Sequence, residues 1–518
     1  MTERRRNPAL APVAIIIGAM LAGALYAWYA GDDINWDWQN YHDYNVWALI
    51  HGRYAIDVMP AGLQTYFNPL VYFLAYGLRH ALPPLYGGLA MGAIHGLNLV
   101  AVWYLTRALL GNQSGFVTIG AALLIAATGP MTLSEVGTSF SDILTAAPIV
   151  AGVALIVSAD ANARPRYLAA GLLIGAMVGL KLTNVIFAAG AAVAVLLAAR
   201  PVIAVGYLAL GGVIGGLATG GFWSLMLWRD FGNPVFPLFN GLFHSPELPQ
   251  SNLLDNQFLP RSVAEALAYP IYWLRGLHPS SEFSFRDARF AVLLILLPAA
   301  YIARVVKGSR IFARRDIQFI AFFVVSYLAW LTLFSIQRYA IVLELCCGPL
   351  IVLLLLRAVG SIGIAERRLL PVANGAIAVA AIGIALWSQP GDWWRRPWSM
   401  PYRPVISERL RQPATYMLLN KPTAYIAPLL PPRSRFYQIG DIVVPVVSGG
   451  VFDKRIRAGF ADPLPGGIWE IHDRNERVQW EQLTRFGLTT DPSQPCVEIE
   501  SVNPASVIQV CPLKKAAN

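Results

Sequence analysis

Long apolar runs recur along this chain of 518 residues, and no other feature restricts its fold as strongly. A helix of about 20 residues crosses the roughly 30 Å core of a bilayer, whereas a soluble fold would have to hide every such run. Only 14% of the residues are charged, against about a quarter in a typical soluble domain. The pattern predicts a mainly α-helical, polytopic membrane protein and excludes secreted, disordered, fibrous and nucleic-acid-binding classes. The predicted spans, about eleven by hydrophobic patterning, lie near residues 9–30, 85–108, 114–131, 142–159, 167–181, 183–199, 203–227, 288–306, 317–335, 340–357 and 369–388.

The basic residues, which give a net charge of +10, cluster in short segments between the apolar runs. Clustering of this kind reports the orientation of the helices in the membrane, since cytoplasmic loops are enriched in Lys and Arg. The first apolar run is longer than the roughly 7–15 residues of a signal-peptide core, so we expect an uncleaved helix. We therefore predict an integral membrane protein with a cytoplasmic N-terminus and a C-terminal domain on the opposite side of the membrane. The basic residues on the predicted inner side are Arg4 to Arg6, Arg164, Arg166, Arg200, Arg304, Lys307, Arg310, Arg314, Arg315, Arg357, Arg367 and Arg368.

The last part of the chain has a different composition, with more charges and prolines and without apolar runs. We predict two domains, a transmembrane domain at 1–388 and an extracytoplasmic domain at 389–518 with a small α/β or α+β fold. Trp393, Trp394 and Trp398 follow the last span as an interfacial belt would. Short alternating segments predict strands at Ala424–Ala427, Phe436–Ile439, Ile468–Ile471, Cys496–Ile499 and Val507–Cys511, and a helix near Asn475–Phe486.

The four cysteines fall into two pairs with different surroundings. Cys346 and Cys347 lie inside a predicted span, where a thiol is usually a small buried apolar group. Cys496 and Cys511 lie in the outward domain, where an oxidising compartment permits a disulfide. No cysteine or histidine spacing in the sequence is typical of a metal site.

The first outward loop, Gly31–Arg53, combines four carboxylates and two histidines with several aromatic residues. If a helix begins at Asp37, then Asp37 and Tyr41 share one face, while His42 lies on another face that could rest on the membrane surface. A carboxylate in a pocket that partly excludes water is suited to act as a general base toward a hydroxyl nucleophile. The alternative is a solvated polar loop without catalytic function.

A second group of ionisable residues is predicted at the outer ends of the spans. Glu135 and Asp142 lie in a short outward loop and could position a substrate, although Asp142 could equally be a helix cap. Lys181 and Arg338 could bind a phosphate, since a cation at that depth needs an anionic partner. Snorkelling of the Lys181 side chain to the interface is the structural alternative.

Other patterns in the spans point to packing. The glycines between Gly211 and Gly220 form overlapping GxxxG spacings, which predict a close approach of two helices. His95 and Glu344 lie within spans, where hydrogen-bonded packing and a proton relay are the two interpretations. The sequence contains no Walker A, dinucleotide-binding or GxSxG motif.

Together these features resemble the GT-C superfamily of membrane glycosyltransferases. The resemblance rests on the acidic loop after the first span, the second acidic loop, the many helices and the terminal outward domain. Within this plan, the segment Asp37–His42 is similar to the motif in which an aspartate starts an outer-face helix. The segment Gly232–Asn240, after Trp223 and Trp228, is similar to an outer-loop signature of bacterial members.

The resemblance implies an inverting transfer of a sugar from a polyprenyl-phosphate donor to an acceptor hydroxyl on a glycan, lipid or protein. The reaction would take place on the outer face of a bacterial inner (cytoplasmic) membrane, with the C-terminal domain in the periplasm. Asp37 would be the general base, with Asp33 as the alternative. The lipid-linked sugar is a co-substrate and membrane lipids are partners, nucleic acid is not, and no cofactor is required, although clustered acids are compatible with a divalent cation. The implied substrate-binding residues are Tyr41, His42, Glu135, Asp142, Lys181, Trp223, Asn233 and Arg338.

In this scheme Lys181 and Arg338 would neutralise the departing phosphate, and Glu135 and Asp142 would orient the acceptor or the sugar. The sequence departs from well-known members, since it lacks an oligosaccharyltransferase signature and a protein-mannosyltransferase repeat domain. Two other classes stay open, a flippase or transporter for a lipid-linked sugar and a non-catalytic subunit of an envelope-assembly complex.

Overall fold

The computed structural model describes residues 10–160, 162–252, 255–307, 312–360, 366–440 and 446–516, so Arg4 to Arg6 and Arg310 lie outside the described residues. Helices dominate this part of the chain, and each of the predicted apolar segments coincides with helix. The α-helices of the described residues are α1 (Leu10–Ala30), α2 (Asp43–Ile50), α3 (Phe73–Ala81), α4 (Pro84–Leu110), α5 (Phe116–Ala127), α6 (Pro130–Glu135), α7 (Ser141–Val157), α8 (Arg164–Leu180), α9 (Val185–Leu196), α10 (Pro201–Gly216), α11 (Phe222–Phe231), α12 (Asn240–Phe243), α13 (Val263–Leu274), α14 (Arg289–Lys307), α15 (Arg314–Leu333), α16 (Ile341–Gly360), α17 (Glu366–Trp387), α18 (Val451–Ala461) and α19 (Glu481–Arg485).

The apolar helices are those of a multi-pass membrane protein. Within the described residues, 6 helices are long and apolar enough to cross a membrane, by length and composition. Four shorter apolar helices accompany them. The prediction of a polytopic membrane protein is confirmed, whereas the number of eleven crossings stays a prediction.

The chain divides into two compact units, each assembled from three separate stretches. We call the first the helical unit and the second, which contains the sheet, the mixed unit. The predicted division into a transmembrane domain at 1–388 and an extracytoplasmic domain at 389–518 stays a prediction. The helical unit comprises Met1–Ala30, Gly88–Gly221 and Asp255–Trp393, and the mixed unit comprises Gly31–Gly87, Phe222–Leu254 and Trp394–Asn518.

Glycines set the closest helix packing in the helical unit. Helices α8 and α10 pack so tightly that a Cβ atom at Gly175 would lie 2.1 Å from the carbonyl oxygen of Gly212. A Cβ atom at Gly211 would lie 2.2 Å from the carbonyl oxygen of Leu168. Only glycine permits this approach of the two backbones, so the GxxxG spacing predicted the contact correctly.

The mixed unit is built on a sheet with strand order β4-β3-β5-β8-β6, in which β7 also pairs with β8. Strand β3 runs parallel to β4 and β5, and β8 runs antiparallel to its partners β5, β6 and β7. Cys496 and Cys511 form a disulfide beside the β7–β8 pair. An oxidising compartment on the outward side permits such a bond. The strands of the described residues are β1 (Asp32–Asp33), β2 (Arg395–Arg396), β3 (Thr415–Leu418), β4 (Arg435–Gln438), β5 (Ile468–Asp473), β6 (Leu488–Thr490), β7 (Val497–Ile499) and β8 (Ile508–Lys515).

The first outward loop and the terminal segment fold together in the mixed unit. Strand β1 pairs antiparallel with β2, matching Asp32 with Arg396. Farther along, the Val58 N–H donates to the Phe436 carbonyl at 3.0 Å, and the Gln438 N–H donates to the Val58 carbonyl at 2.9 Å. The acidic loop is therefore held by backbone ladders to residues more than 350 positions later in the sequence.

Three predictions for the terminal segment need correction. Residues Ala424–Ala427, predicted as a strand, belong to the 3₁₀ helix Ala424–Leu429, which contains Pro428 and cannot supply a full set of ladder donors. The predicted helix near Asn475–Phe486 shortens to Glu481–Arg485. Trp393 is buried in the helical unit, so it does not belong to an interfacial belt.

Candidate active site

The segment that carries the two candidate bases begins with a local turn around Asp33. Asp33 Oδ1 accepts hydrogen bonds from the Asn35 backbone N–H at 3.1 Å and from Asn35 Nδ2 at 2.7 Å. Asn35 Oδ1 in turn accepts from the Trp38 N–H at 2.7 Å, which satisfies a donor at the start of the next helical turn. The hydrogen bonds between Asp33 and Asn35 thus shape the backbone that leads to Asp37.

Asp37 lies directly before a turn of π-helix, Trp38–His42, which continues into α2. The Tyr41 hydroxyl donates to Asp37 Oδ2 at 3.1 Å, so these side chains share a face as the helical spacing predicted. The His42 ring stacks on Tyr72 with centroids 4.2 Å apart, and Tyr41 meets Tyr72 edge-on. All of these side chains are buried, and the prediction of a helix face resting on the membrane surface is wrong.

Charged partners that the sequence did not indicate surround this segment. Arg396 Nε contacts Asp32 Oδ2 at 3.0 Å, and Arg79 Nη2 lies 3.7 Å from Asp32 Oδ1. The Arg79 guanidinium also donates to the Asp33 carbonyl and lies 3.9 Å from the centroid of the Trp38 ring. Two cations from distant parts of the sequence therefore fix the entry to the Asp37 helix.

A second buried cluster, also missed from sequence, anchors the end of the first loop. Arg53 and Asp57 form a two-pronged ion pair with distances of 2.9 Å and 2.6 Å. Asp57 also accepts from the Tyr44 hydroxyl at 2.8 Å and from the Phe436 N–H at 3.0 Å. Burial raises the pKa of the Asp57 carboxyl, and the Arg53 guanidinium opposes that rise. Burial beside Asp57 likewise raises the pKa of Tyr44.

Trp223 and Asn233 lie in the mixed unit, where the structure uses both for internal contacts. Trp223 Nε1 donates to the Tyr66 carbonyl at 3.0 Å, and its ring meets Tyr54 edge-on. Asn233 Nδ2 donates to the Leu238 carbonyl at 2.8 Å, and Asn233 Oδ1 accepts from the Val235 N–H at 3.0 Å. Their predicted role in substrate binding stays a prediction.

The helical unit brings Glu135, Asp142, Lys181 and Arg338 into one electrostatic cluster. Lys181 Nζ lies 2.6 Å from Asp142 Oδ1, so the ammonium is paired and does not snorkel. Glu135 Oε2 accepts from the Ile143 N–H at 3.2 Å, which gives Glu135, not Asp142, the capping contact at the start of α7. Burial and the neighbouring Asp142 carboxylate raise the pKa of Glu135, while Lys181 and Arg338 act in the opposite direction.

Aromatic rings surround the two cations of this cluster. The Arg338 guanidinium carbon lies 5.3 Å from the ring centroid of Phe140, 5.4 Å from Tyr339 and 5.5 Å from Trp393. Lys181 Nζ lies 4.6 Å from the Tyr339 ring centroid. Cation–π contacts of this kind hold a cation in place without neutralising it. The sequence had pointed to both cations but not to the rings of Phe140 and Trp393.

The two ionisable residues inside spans make hydrogen bonds of a structural kind. Glu344 accepts hydrogen bonds from the Thr132 N–H and from the Thr132 hydroxyl, both at 2.7 Å. His95 Nδ1 accepts from the Gly137 N–H at 3.1 Å. Both contacts favour packing over a proton relay. Among the residues with described placement, no group of three or more His, Cys, Asp or Glu side chains could hold a metal ion.

Comparisons with known proteins bear on the fold. No family model and no curated protein sequence matches the chain. Among solved structures, it is similar to ArnT from Cupriavidus metallidurans in the apo state, with a TM-score of 0.56, 12% identity and coverage of 97% of this chain and 98% of that chain. ArnT bound to undecaprenyl phosphate gives a TM-score of 0.55 at 12% identity, covering 97% of both chains. The chain has the fold of ArnT.

This likeness confirms the predicted fold class, a helical membrane bundle with a small C-terminal sheet region. A weaker likeness joins the chain to the arabinosyltransferase EmbB from Mycobacterium smegmatis, with a TM-score of 0.37 and 10% identity. That match covers 74% of this chain and 39% of EmbB.

Proposed function

We propose that the protein is a membrane glycosyltransferase that moves a sugar from a polyprenyl-phosphate donor to an acceptor hydroxyl. The likeness to ArnT along 97% of both chains carries this proposal, since that GT-C glycosyltransferase was solved with undecaprenyl phosphate. An inverting transfer needs a base for the acceptor and cations for the leaving phosphate. The chain contains candidates for both roles, the aspartates Asp33 and Asp37 and the cations Lys181 and Arg338. We place the reaction on the outer face of the bacterial inner membrane, with the N-terminus cytoplasmic.

Asp37 is our proposed general base. Its Oδ2 atom accepts from the neutral Tyr41 hydroxyl, whereas Asp33 Oδ1 accepts twice from Asn35 in a local turn. A carboxylate that shapes the backbone is a poor choice for a group that must take up a proton and release it. These contacts support Asp37 over Asp33, and we assign Asp33 a positioning role.

In the proposed step, Asp37 takes the proton of the acceptor hydroxyl as the oxygen attacks the anomeric carbon of the sugar. The bond from that carbon to the phosphate oxygen breaks, and the electron pair leaves with the polyprenyl phosphate. Lys181 and Arg338 are proposed to stabilise the departing anion, because guanidinium and ammonium groups bind phosphate well. Glu135 and Asp142 then keep these two cations in place, and Tyr41, His42 and Trp223 are proposed to face the sugar.

The test is transfer of radiolabelled sugar from a panel of polyprenyl-phosphate donors by the purified protein in proteoliposomes. We expect Asp37→Asn to lower the rate by about 10²- to 10⁴-fold, the range for loss of a general base. Asp33→Asn should lower it less, because Asn retains an acceptor oxygen for the turn. A parallel assay with EDTA shows whether a divalent cation is required.

A matched control is Asp491→Asn, which neutralises a partly buried aspartate that contacts Lys514 in the terminal sheet, outside the candidate site. This variant should transfer sugar at the wild-type rate. A large loss in Asp33→Asn with none in Asp37→Asn would move the base to Asp33. If wild type turns over no donor, while labelled lipid-linked sugar crosses the bilayer, the flippase alternative replaces the enzyme. If neither assay responds, the role of an assembly subunit is left.

A further inference from the structure

Helix α11 and the loop that follows it expose an apolar surface that the proposed reaction does not use. The large side chains of this surface are 37–70% exposed, far above the buried residues beside them. Isolated exposed apolar residues are normal on soluble surfaces, whereas larger exposed apolar patches mark interaction sites. The exposed residues of α11 recur every three positions, so they lie toward one side of the helix. We call this set the apolar loop surface, and it consists of Phe222, Leu225, Trp228, Phe239, Leu242 and Phe243.

The loop behind this surface is held rigidly by two buried asparagines. Asn233 closes the turn through its contacts with Val235 and Leu238. Asn240 Oδ1 accepts from the Ser245 N–H at 2.8 Å, and Asn240 Nδ2 donates to the Pro249 carbonyl at 2.9 Å. The two amide side chains are thus buried, whereas the large apolar side chains of Phe239 and Leu242 are more than half exposed.

The backbone of this loop is largely satisfied from within. The N–H groups of Phe236, Leu238, Leu242 and His244 each donate to a carbonyl three or four residues earlier. Pro234 and Pro237 have no N–H to satisfy. Irregular backbone can approach lipid only when its polar groups are paired, so this loop meets a condition that an ordinary surface loop does not.

Charge is also distributed as a membrane interface requires. From Phe231 to Ser245 the sequence contains no Asp, Glu, Lys or Arg. The nearest exposed charges are the neighbouring Arg229 and Asp230, which pair at 2.8 Å one turn before the loop. Trp228 adjoins that pair, and tryptophan beside arginine is typical of the headgroup level.

The preceding helix leads to the same conclusion about depth. The apolar helical stretch Pro201–Phe231 has 31 residues and contains an 18-residue window with a mean hydropathy of 1.9. At 1.5 Å per residue it is roughly 46 Å long, whereas the bilayer core is about 30 Å thick. One end of this stretch must therefore extend beyond the core, and its last ten residues carry half of the apolar loop surface.

We propose that the apolar loop surface is embedded in the membrane–water interface, where bilayer lipids are its partner. The loop then acts as a rigid interfacial anchor for the mixed unit, in addition to the spans. Amphipathic segments bind interfaces by burying large apolar side chains beside the headgroups, and this surface presents such side chains on a fixed backbone. This inference does not depend on glycosyl transfer.

The test measures the depth of spin labels on the full-length protein in proteoliposomes. Single variants Leu242→Cys and Phe243→Cys receive a nitroxide, with Thr484→Cys on the exposed side of α19 as the water-facing control. The native cysteines give little background, because Cys346 and Cys347 are buried and Cys496 and Cys511 are disulfide-bonded. Power saturation then compares collisions with oxygen, which partitions into lipid, and with a water-soluble nickel chelate.

We expect oxygen to relax the labels at 242 and 243 several-fold more than nickel does, and the order to reverse at 484. Equal nickel access at 242 and 484 would overturn the proposal. Spin–spin broadening that vanishes on dilution with unlabelled protein would also overturn it, because the surface would then contact a second copy. Two label positions protect the test against one misfolded variant, and gel filtration identifies that variant. Loss of transfer activity would leave the readout unchanged, so the two proposals fail separately.

Discussion

The two acid-bearing loops differ in what holds their carboxylates. In the mixed unit, arginines bind the flanking acids Asp32 and Asp57, while the neutral Tyr41 hydroxyl donates to Asp37. In the helical unit, Asp142 pairs directly with Lys181, one of the cations proposed to act on substrate. In the first loop, ion pairs therefore mainly stabilise the fold. In the second loop, the Asp142 carboxylate positions the Lys181 ammonium.

This difference separates structural from chemical roles. Removing an arginine from the first loop should cost stability, because its carboxylate stays behind in a buried site. Removing a cation from the second loop should cost stability and leaving-group stabilisation together. Double substitutions can separate these effects, since neutralising both members of a pair restores the local charge balance but not the lost function.

The largest expected effect on stability is that of Arg53→Ala. It removes both ion-pair contacts to Asp57 and the hydrogen bonds from Arg53 to the carbonyls of Pro432 and Ser434. Breaking a buried pair from one side typically costs about 3–5 kcal/mol. We expect a clear fall in the thermal midpoint of the purified protein, followed by tryptophan fluorescence.

The pH dependence of that loss tests its cause. Burial already raises the pKa of Asp57 above its ordinary value of 3.8, and without Arg53 it should rise further. When a carboxyl group binds its proton more tightly in the native state than in the unfolded state, the native protein loses stability as the pH rises. The stability that Arg53→Ala loses relative to wild type should therefore be larger at pH 8 than at pH 5. The double variant Arg53→Ala/Asp57→Asn should recover part of that stability. A deficit independent of pH, with no recovery, would assign it to packing alone.

Hydropathy predicted the helical framework well because each span is specified by its own residues. The apolar segments coincide with helices, and the glycine spacing near Gly211 predicted a tight contact. The terminal sheet was harder, because its short strands differ little from turns in local composition. Ala424–Ala427 has the composition of a strand, yet Pro428 and the surrounding packing make it a 3₁₀ helix.

Sequence spacing predicted which residues share a helix face, but it did not predict their long-range contacts. Asp37 and Tyr41 do lie on one face, whereas the roles of Asp37, Tyr41, Lys181 and Asp142 in a site stay predictions. Arg396, the partner of Asp32, lies 364 positions later in the sequence, and no local sequence pattern predicts such an ion pair. Long-range partners of this kind depend on the tertiary fold, which a single sequence does not encode in readable form.

Lys181→Met is expected to have an intermediate effect that sharpens the contrast. The substitution keeps the length of the side chain but leaves Asp142 without its ammonium partner, and the side chains are 16% and 4% exposed. Because the pair is only partly shielded, we expect a cost of about 2 kcal/mol, below that of a fully buried pair. Lys181→Met/Asp142→Asn should restore the thermal midpoint. Sugar transfer should stay low in both variants, and its recovery in the double variant would remove Lys181 from phosphate binding.

The smallest expected effect, at Glu135, tests whether a carboxyl in the second loop works mainly as a cap. Glu135→Ala removes the acceptor for the Ile143 N–H and should cost about 1 kcal/mol, as lost helix caps do. Glu135→Gln keeps an acceptor oxygen and should stay near wild type. Since burial and Asp142 raise the pKa of Glu135 above its ordinary 4.5, the wild-type protein loses stability as the pH rises past that value. Glutamine does not titrate, so Glu135→Gln should gain on wild type between pH 5 and pH 8 in thermal unfolding. Parallel pH profiles for the two proteins would contradict this, because they would mean that Lys181 and Arg338 fully offset the effects of burial and of Asp142 on Glu135.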